Sequence, residues 1–273
     1  MKKLLLGAVA LVAVGAAPAF AADLPARTYT KAPAVVPVPV YNWTGCYVGG
    51  NLGGDWSRAR TSEILGGTWL TTNSAADTAA IQANGSPGIN ASGVTVGGQI
   101  GCNWQTGNFV YGIEGDGMYT GLSSTVTTTI AALPTAGTPV SNTASVSAQS
   151  LYTLRGRAGY AVDRTLVYVT GGAAFGKVGY SDAQTYIAGA TAGAVSSMRT
   201  GYVVGVGVEY ALSKNWIVGG EYLYANLGST GFNTVVVPQN TFTNAWSTKF
   251  QENIVRARIS YKFDWTGPVV AKY

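Results

Sequence analysis

The stretch Tyr202-Val-Val-Gly-Val-Gly-Val-Glu-Tyr210 decides the fold. Tyr202, Val204, Val206, Val208 and Tyr210 fall on one parity, while Gly205, Gly207 and Glu209 fall on the other. A period of two belongs to a β-strand, whose successive side chains point to opposite faces. Large apolar residues hold one face, and glycine and a carboxylate share the other. A strand between lipid and a polar lumen has this pattern, because a charge facing hydrocarbon is costly. A soluble lipocalin-like barrel also alternates, but it turns its large apolar side chains inward and its polar ones outward. Charges that share a face with glycines favour the membrane.

The same alternation recurs on either side of this stretch. Phe109, Tyr111 and Ile113 alternate with Gly112, Glu114 and Asp116, and Val255, Ala257, Ile259, Tyr261 and Phe263 alternate with Arg256, Arg258, Ser260 and Lys262. Eight such segments are predicted, at 43–56, 93–105, 109–122, 149–161, 165–180, 199–212, 215–229 and 250–263. Tight turns at Gln105 to Asn108, Val162 to Arg164 and Ser213 to Lys214 alternate with long Ser/Thr/Ala/Asn/Gly-rich joints at 57–92, 123–148, 181–198 and 230–249. Short periplasmic turns, long outer loops and an even strand number are the marks of an outer-membrane barrel. The expectation is therefore an all-β, eight-stranded antiparallel up-and-down transmembrane β-barrel, with mobile extracellular loops and both termini periplasmic. Trp43, Trp104, Phe109, Tyr160, Tyr210, Trp216, Tyr261 and Phe263 are expected to form an aromatic girdle at the turn side. Trp56, Tyr119, Tyr180 and Tyr224 would form its counterpart at the loop side, since amphipathic rings collect at membrane interfaces.

Ahead of the barrel, Lys2 and Lys3 precede an apolar run from Leu4 to Val14 and the small residues Ala16 to Ala21. This reads as a signal peptide over residues 1–21, because the run is too short to span a bilayer and ends in an A-x-A site. Residues 22–42, with Pro25, Pro33, Pro37 and Pro39, read as an extended periplasmic lead-in. The barrel domain covers 43–263, and 264–273 forms a periplasmic tail.

Composition narrows the function. Charged residues make up 11% of the chain, against roughly 25% in soluble domains. Without Lys2 and Lys3 the mature chain carries 15 basic and 12 acidic residues, a net charge of +3, too weak and too dispersed for a nucleic-acid partner. The chain has no histidine, which removes histidine-based triads and most zinc sites; no metal or cofactor is expected. GGQIG and YVGGNLGG are not followed by a helical pattern, so they are not phosphate loops.

Inward parity collects Glu114, Asp116, Glu209 and Glu221 with Arg155, Arg157, Arg256 and Arg258. In a barrel this narrow, side chains fill the interior, so unlike charges must meet there. Such a lumenal charge network serves either as a plug that holds the barrel shut or as a gate whose pairs exchange to pass ions or small solutes. Glu114 and Asp116 point the same way, as an acid–base pair would, but the arginines would engage both. The chain is therefore read as no enzyme, with a lipid-modifying barrel enzyme as a remote alternative. Cys46 and Cys102 share the outward parity at similar heights on neighbouring strands. They are either a cross-strand disulfide, which an oxidising periplasm permits, or two small lipid-facing hydrophobes.

The order of local motifs resembles the alphaproteobacterial small outer-membrane immunogenic protein family, the RopB-type porin-like barrels. The matching strings are ADLP (Ala22 to Pro25), YNWTGCYVGGNLGG (Tyr41 to Gly54), VGGQIGCNWQ (Val96 to Gln105) and YGIEGD (Tyr111 to Asp116). LRGRAGYAVDRTLVYVTGGAAFG (Leu154 to Gly176), GVGVEYALSKNWIVGGEYLYANLGS (Gly205 to Ser229) and SYKF (Ser260 to Phe263) complete them. The resemblance implies an eight-stranded barrel of the OmpA/OmpX type with surface exposure and no settled catalytic role. The chain departs from the family at Cys46 and Cys102, where an aromatic is expected, and at Arg258, where the closing strand usually has glycine. It also continues past Phe263, where the last strand is expected to end, to Tyr273. The expected role is structural and surface-interacting, displaying four loops and contributing to envelope integrity; the alternative is a narrow, charge-gated porin. The expected partners are outer-membrane lipid and lipopolysaccharide, the barrel-assembly machinery, and host or surface ligands at the loops.

Overall fold

The computed structural model of the chain describes residues 41–187, 189–237 and 241–263. The signal peptide, the proline-bearing part of the lead-in and the tail after Phe263 lie outside the described residues. Eight antiparallel strands close into a barrel in sequential order, with β8 pairing back onto β1. They are β1 (Gly45–Gly67), β2 (Gly88–Thr106), β3 (Phe109–Ile130), β4 (Val140–Val162), β5 (Thr165–Tyr186), β6 (Gly189–Ala211), β7 (Trp216–Val235) and β8 (Phe242–Lys262). Two helices, α1 (Trp69–Thr72) and α2 (Ala75–Asn84), lie between β1 and β2.

At the turn end the strand limits fall close to those read from the alternation, although β8 stops at Lys262 and Phe263 follows it. At the loop end every strand runs further. β1 reaches Gly67 and β6 begins at Gly189, so much of the expected loop segments 57–92, 123–148, 181–198 and 230–249 is barrel wall. The strands are 19–23 residues long, about twice the 9–11 that cross a bilayer.

On β4 and β7 a register shift interrupts the alternation. Below the irregularity between Ala148 and Ser150, Thr153, Arg155 and Arg157 point inward; above it, Ala144, Val146 and Ala148 do. β7 behaves likewise between Asn226 and Ser229: Leu223, Ala225 and Leu227 are inward below, and Thr230 above. Gly228 sits in that bulge at φ 73°, a left-handed conformation that glycine adopts without cost. A one-residue bulge moves every later side chain to the other face.

The outer wall has two zones. Near the turn end it exposes a belt that includes Val48, Leu52, Ile100, Ile113, Leu154, Val167, Val206 and Ile259, each between 45% and 64% exposed. Such a contiguous apolar surface needs a nonaqueous neighbour. Above Trp56 and Tyr119 the outward positions turn polar, as Arg58, Arg60 and Ser62 on β1 and Ser123, Thr125 and Thr127 on β3 show. The loop-end half of the wall therefore stands clear of the belt, and it keeps its own interior of Leu122, Val146, Val178, Leu223, Trp246 and Phe250.

Candidate functional site

The charge network occupies the lumen within the belt. Register sets it up: Glu114 on β3 is opposite Arg155 on β4, and Glu221 on β7 is opposite Arg256 on β8. Glycines face the arginines across the strands, with Gly53 opposite Arg256, Gly112 opposite Arg157 and Gly219 opposite Arg258. A Cβ at Gly53 would lie 2.8 Å from the Arg256 Cβ, so that glycine makes room for the guanidinium stem.

All eight sequence-selected charges are brought together. Arg155 contacts Glu221 at 2.9 Å and Asp116 at 2.9 Å, and also pairs with Glu114. Arg256 joins Glu221 at 2.6 Å and Asp116 at 3.0 Å. Arg157 holds Glu209 at 2.9 Å, while Arg258 pairs with Glu114 and lies 3.4 Å from both Glu209 and Glu221. Four carboxylates meet four guanidiniums, and the side chains are 0–3% exposed. In so dry a place an unmatched charge would cost several kcal/mol.

Two tyrosines missed by the sequence reading complete the network. The Tyr47 hydroxyl donates to Glu114 Oε2 at 2.5 Å and accepts from Arg157 at 2.7 Å. Tyr168 donates to Glu221 Oε1 at 3.0 Å, accepts from Arg258 at 3.0 Å, and carries the Arg157 guanidinium 3.9 Å over its ring. Parity was the available signal, since Tyr47 matches inward Asn51 and Tyr168 matches inward Thr170. Below the network, Trp43, Val110, Ala161, Leu166, Ala211 and Ile217 pack into an apolar floor with Tyr168.

Residues 7–263 match the outer membrane protein beta-barrel domain family. The chain belongs to this family. The 31 kDa outer-membrane immunogenic protein of Brucella melitensis is 33% identical over 270 residues, covering 96% of this chain and 100% of the relative. The 25 kDa outer-membrane immunogenic protein of Brucella abortus is 27% identical, with 96% and 99% covered. The 22 kDa outer membrane protein of Rhizobium leguminosarum is 30% identical over 173 residues, covering 61% of this chain and 66% of that protein. These relatives agree with the motif resemblance and put this family member in the outer membrane.

In an outer-membrane barrel the belt meets lipid, and the aromatics sort accordingly. Trp104, Phe109, Tyr160, Tyr210, Trp216, Tyr261 and Phe263 are outward and 37–67% exposed at the turn end, and Trp56 is 45% exposed at the upper margin of the belt. Trp43 is a correction: it is 0% exposed and belongs to the floor. It precedes β1, just ahead of Gly45 at φ 141°, and its backbone N–H donates to Gln105 Oε1 at 2.7 Å while the indole is buried in the barrel mouth. Tyr180 is a second correction, 1% exposed inside the upper barrel against Phe232. Cys46 and Cys102 are direct cross-strand partners joined by a disulfide, with Cα atoms 3.9 Å apart. The Cys46 carbonyl accepts from Phe263 N on the β8 side, so toward β2 the pair is the close, non-hydrogen-bonded kind.

At the loop end α1 and α2 pack over the barrel, where Trp69 and Ile81 join Leu65, Leu133, Val140 and Val236 in an apolar cluster. Ser74 caps α2 by accepting from Asp77 N at 3.0 Å, and Asp77 in turn accepts from the backbone N–H groups of Thr135 and Ala136 at 2.8 and 3.1 Å. Trp69 packs on Tyr186 and Phe242 and donates to Asn244 at 3.0 Å. Under this lid, well above the belt, lie two buried carboxyls. Glu63 accepts from Asn244 at 2.5 Å, and burial pushes its carboxyl up to about 8. Asp182 accepts from Tyr180 at 3.1 Å and is pushed up to about 7 by burial. Among the described residues no group of three or more Cys, Asp or Glu could hold a metal ion.

Proposed function

We propose that this outer-membrane barrel is a closed structural and display element. Its lidded end faces the exterior, its tight turns and both termini face the periplasm, and it contributes to envelope integrity. The observation that carries this reading is the filled lumen: eight charged side chains, 0–3% exposed, bridge the wall above an apolar floor. A conducting path would require these pairs to separate, leaving charges unmatched in a low-dielectric space. Every network carboxylate is held by at least one arginine, which supports a non-enzymatic role. The long polar wall beyond the belt supports surface display, as do the relatives named as immunogenic outer-membrane proteins. Its tips are the surfaces that host or surface ligands would meet, and the barrel-assembly machinery is the proposed route of insertion.

Conductance of the refolded protein in planar bilayers tests the reading. Silent membranes are expected. Steady channels whose conductance changes in Glu114→Gln or Arg155→Gln would overturn it in favour of a narrow porin.

A further inference from the structure

We infer that the outer wall just above the belt binds the phosphate-bearing head group of an outer-leaflet lipid through Arg58, Arg60 and Lys249. This rests on the orientation proposed above. Arg60 on β1 and Lys249 on β8 are direct register partners, and both are exposed. Arg58 follows on the same face, opposite Gln251. Like charges directly opposite each other weaken a strand pair. A carboxylate between them would offset the repulsion, but among the described residues no strand carboxylate faces that way: Asp55, Glu63, Glu114, Asp116, Asp182, Glu209, Glu221 and Glu252 are all buried. The wall thus keeps every described strand carboxylate inside and leaves a basic patch outside. An external anion completes it.

Height identifies the anion. Trp56, one outward position below Arg58, is 45% exposed at the margin of the belt. Beside it the Tyr222 hydroxyl donates to Asn253 at 2.7 Å, and the Tyr224 hydroxyl accepts from Gln251 at 2.6 Å. Ring tips with polar partners mark the level where hydrocarbon gives way to head groups. A groove of about 460 Å³ opens there, lined by Trp56, Arg58, Asn90, Ser92, Gln251 and Asn253. Its amides and hydroxyl can hydrogen-bond phosphate oxygens, and the guanidinium fork matches them two at a time. Below the groove, Leu52, Val96 and Val255 offer an apolar track for acyl chains. The site therefore fits an amphiphile with its phosphate at the margin and its chains along the belt.

The test uses the mature chain refolded in a neutral detergent, titrated with lipid A and with chemically dephosphorylated lipid A. Wild type is expected to bind the phosphorylated form. The triple variant Arg58→Gln, Arg60→Gln, Lys249→Gln should bind it roughly a hundredfold more weakly, each basic group near a phosphate surface being worth roughly fivefold. Lys177→Gln, an exposed cation on β5 across the barrel, should change it little. Heat-modifiable gel mobility checks that each variant is folded. Equal binding of lipid A by the folded triple variant, equal binding of the dephosphorylated form by wild type, or full displacement by inorganic phosphate would each overturn the proposal. Orientation is read separately, by labelling Thr135→Cys on intact cells with an impermeant maleimide. No labelling would overturn the orientation while leaving the detergent result to stand on its own.

Discussion

Arg155 on β4 and Glu221 on β7 meet across the lumen with NH1 and Oε1 2.9 Å apart, although no backbone ladder joins their strands. The pair is a strut through the barrel, and the same guanidinium also holds Glu114 and Asp116 on β3. Arg155→Leu leaves three carboxylates short of a partner, so it should lower unfolding stability by roughly 3–5 kcal/mol. Arg155→Met with Glu221→Leu removes both ends of the strut and should be less damaging than the single change. Urea unfolding in lipid vesicles would decide; a wild-type midpoint for Arg155→Leu would show that the network carries no stability.

The Cys46–Cys102 disulfide closes a sequence separation of 56 residues. On chain-entropy grounds such a crosslink stabilises by about 4 kcal/mol. Reduction, or Cys46→Ser with Cys102→Ser, should lower the urea midpoint while heat-modifiable mobility persists, because the β1–β2 ladder continues up to the Arg60–Gly88 pair. Loss of the folded band on reduction alone would contradict this.

Glu63 and Asp182 lie above the membrane belt, and both protonate more readily when folded. Burial raises Glu63 from an ordinary 4.5 to about 8 and Asp182 from 3.8 to about 7. The native state then binds more protons than the unfolded chain between about pH 4 and pH 8, so stability falls with rising pH in that window. The contribution is complete below the unfolded values and is lost as pH passes the folded ones. Unfolding midpoints should therefore drop from pH 5 to pH 8.5, and Glu63→Gln with Asp182→Asn should flatten the profile. An unchanged slope in the double variant would place the effect elsewhere.

Asp77 ties the helical lid to the neighbouring tip through two backbone hydrogen bonds, to Thr135 and Ala136. Hydrogen bonds to a charged acceptor contribute roughly 1.5–3 kcal/mol each. Asp77→Ala should loosen residues 68–87 without unfolding the barrel. Hydrogen exchange would report it as faster exchange confined to that segment and to 131–139. Uniform exchange changes, or none, would refute the tie.

Much of the barrel was legible because its lower half obeys one rule. From Phe109 to Asp116 and from Val255 to Phe263 the side chains alternate without interruption, so strand number, order and facing followed from parity. The eight network charges were legible for the same reason. Tyr47 and Tyr168 have inward parity too, but an uncharged ring at an inward position does not by itself mark a polar role. The upper wall was not legible: the bulges near Ser150 and Gly228 shift the phase of β4 and β7, and Ser- and Thr-rich outward positions look like loop.

The sequence by itself determined a lipid-facing barrel of eight strands, with the charges of its turn-end half turned inward and its tight turns at one end. These depend on local periodicity and on the cost of placing a charge against hydrocarbon, both readable along the chain. Only the tertiary structure decided that Trp43 turns into the mouth, that the strands continue beyond the apolar belt, that α1 and α2 pack at the loop end, and which carboxylate each arginine holds. Those outcomes depend on bulges, on the positive-φ glycine at Gly45 and on distances across the lumen. Each couples residues far apart in sequence, and no local pattern encodes the pairing.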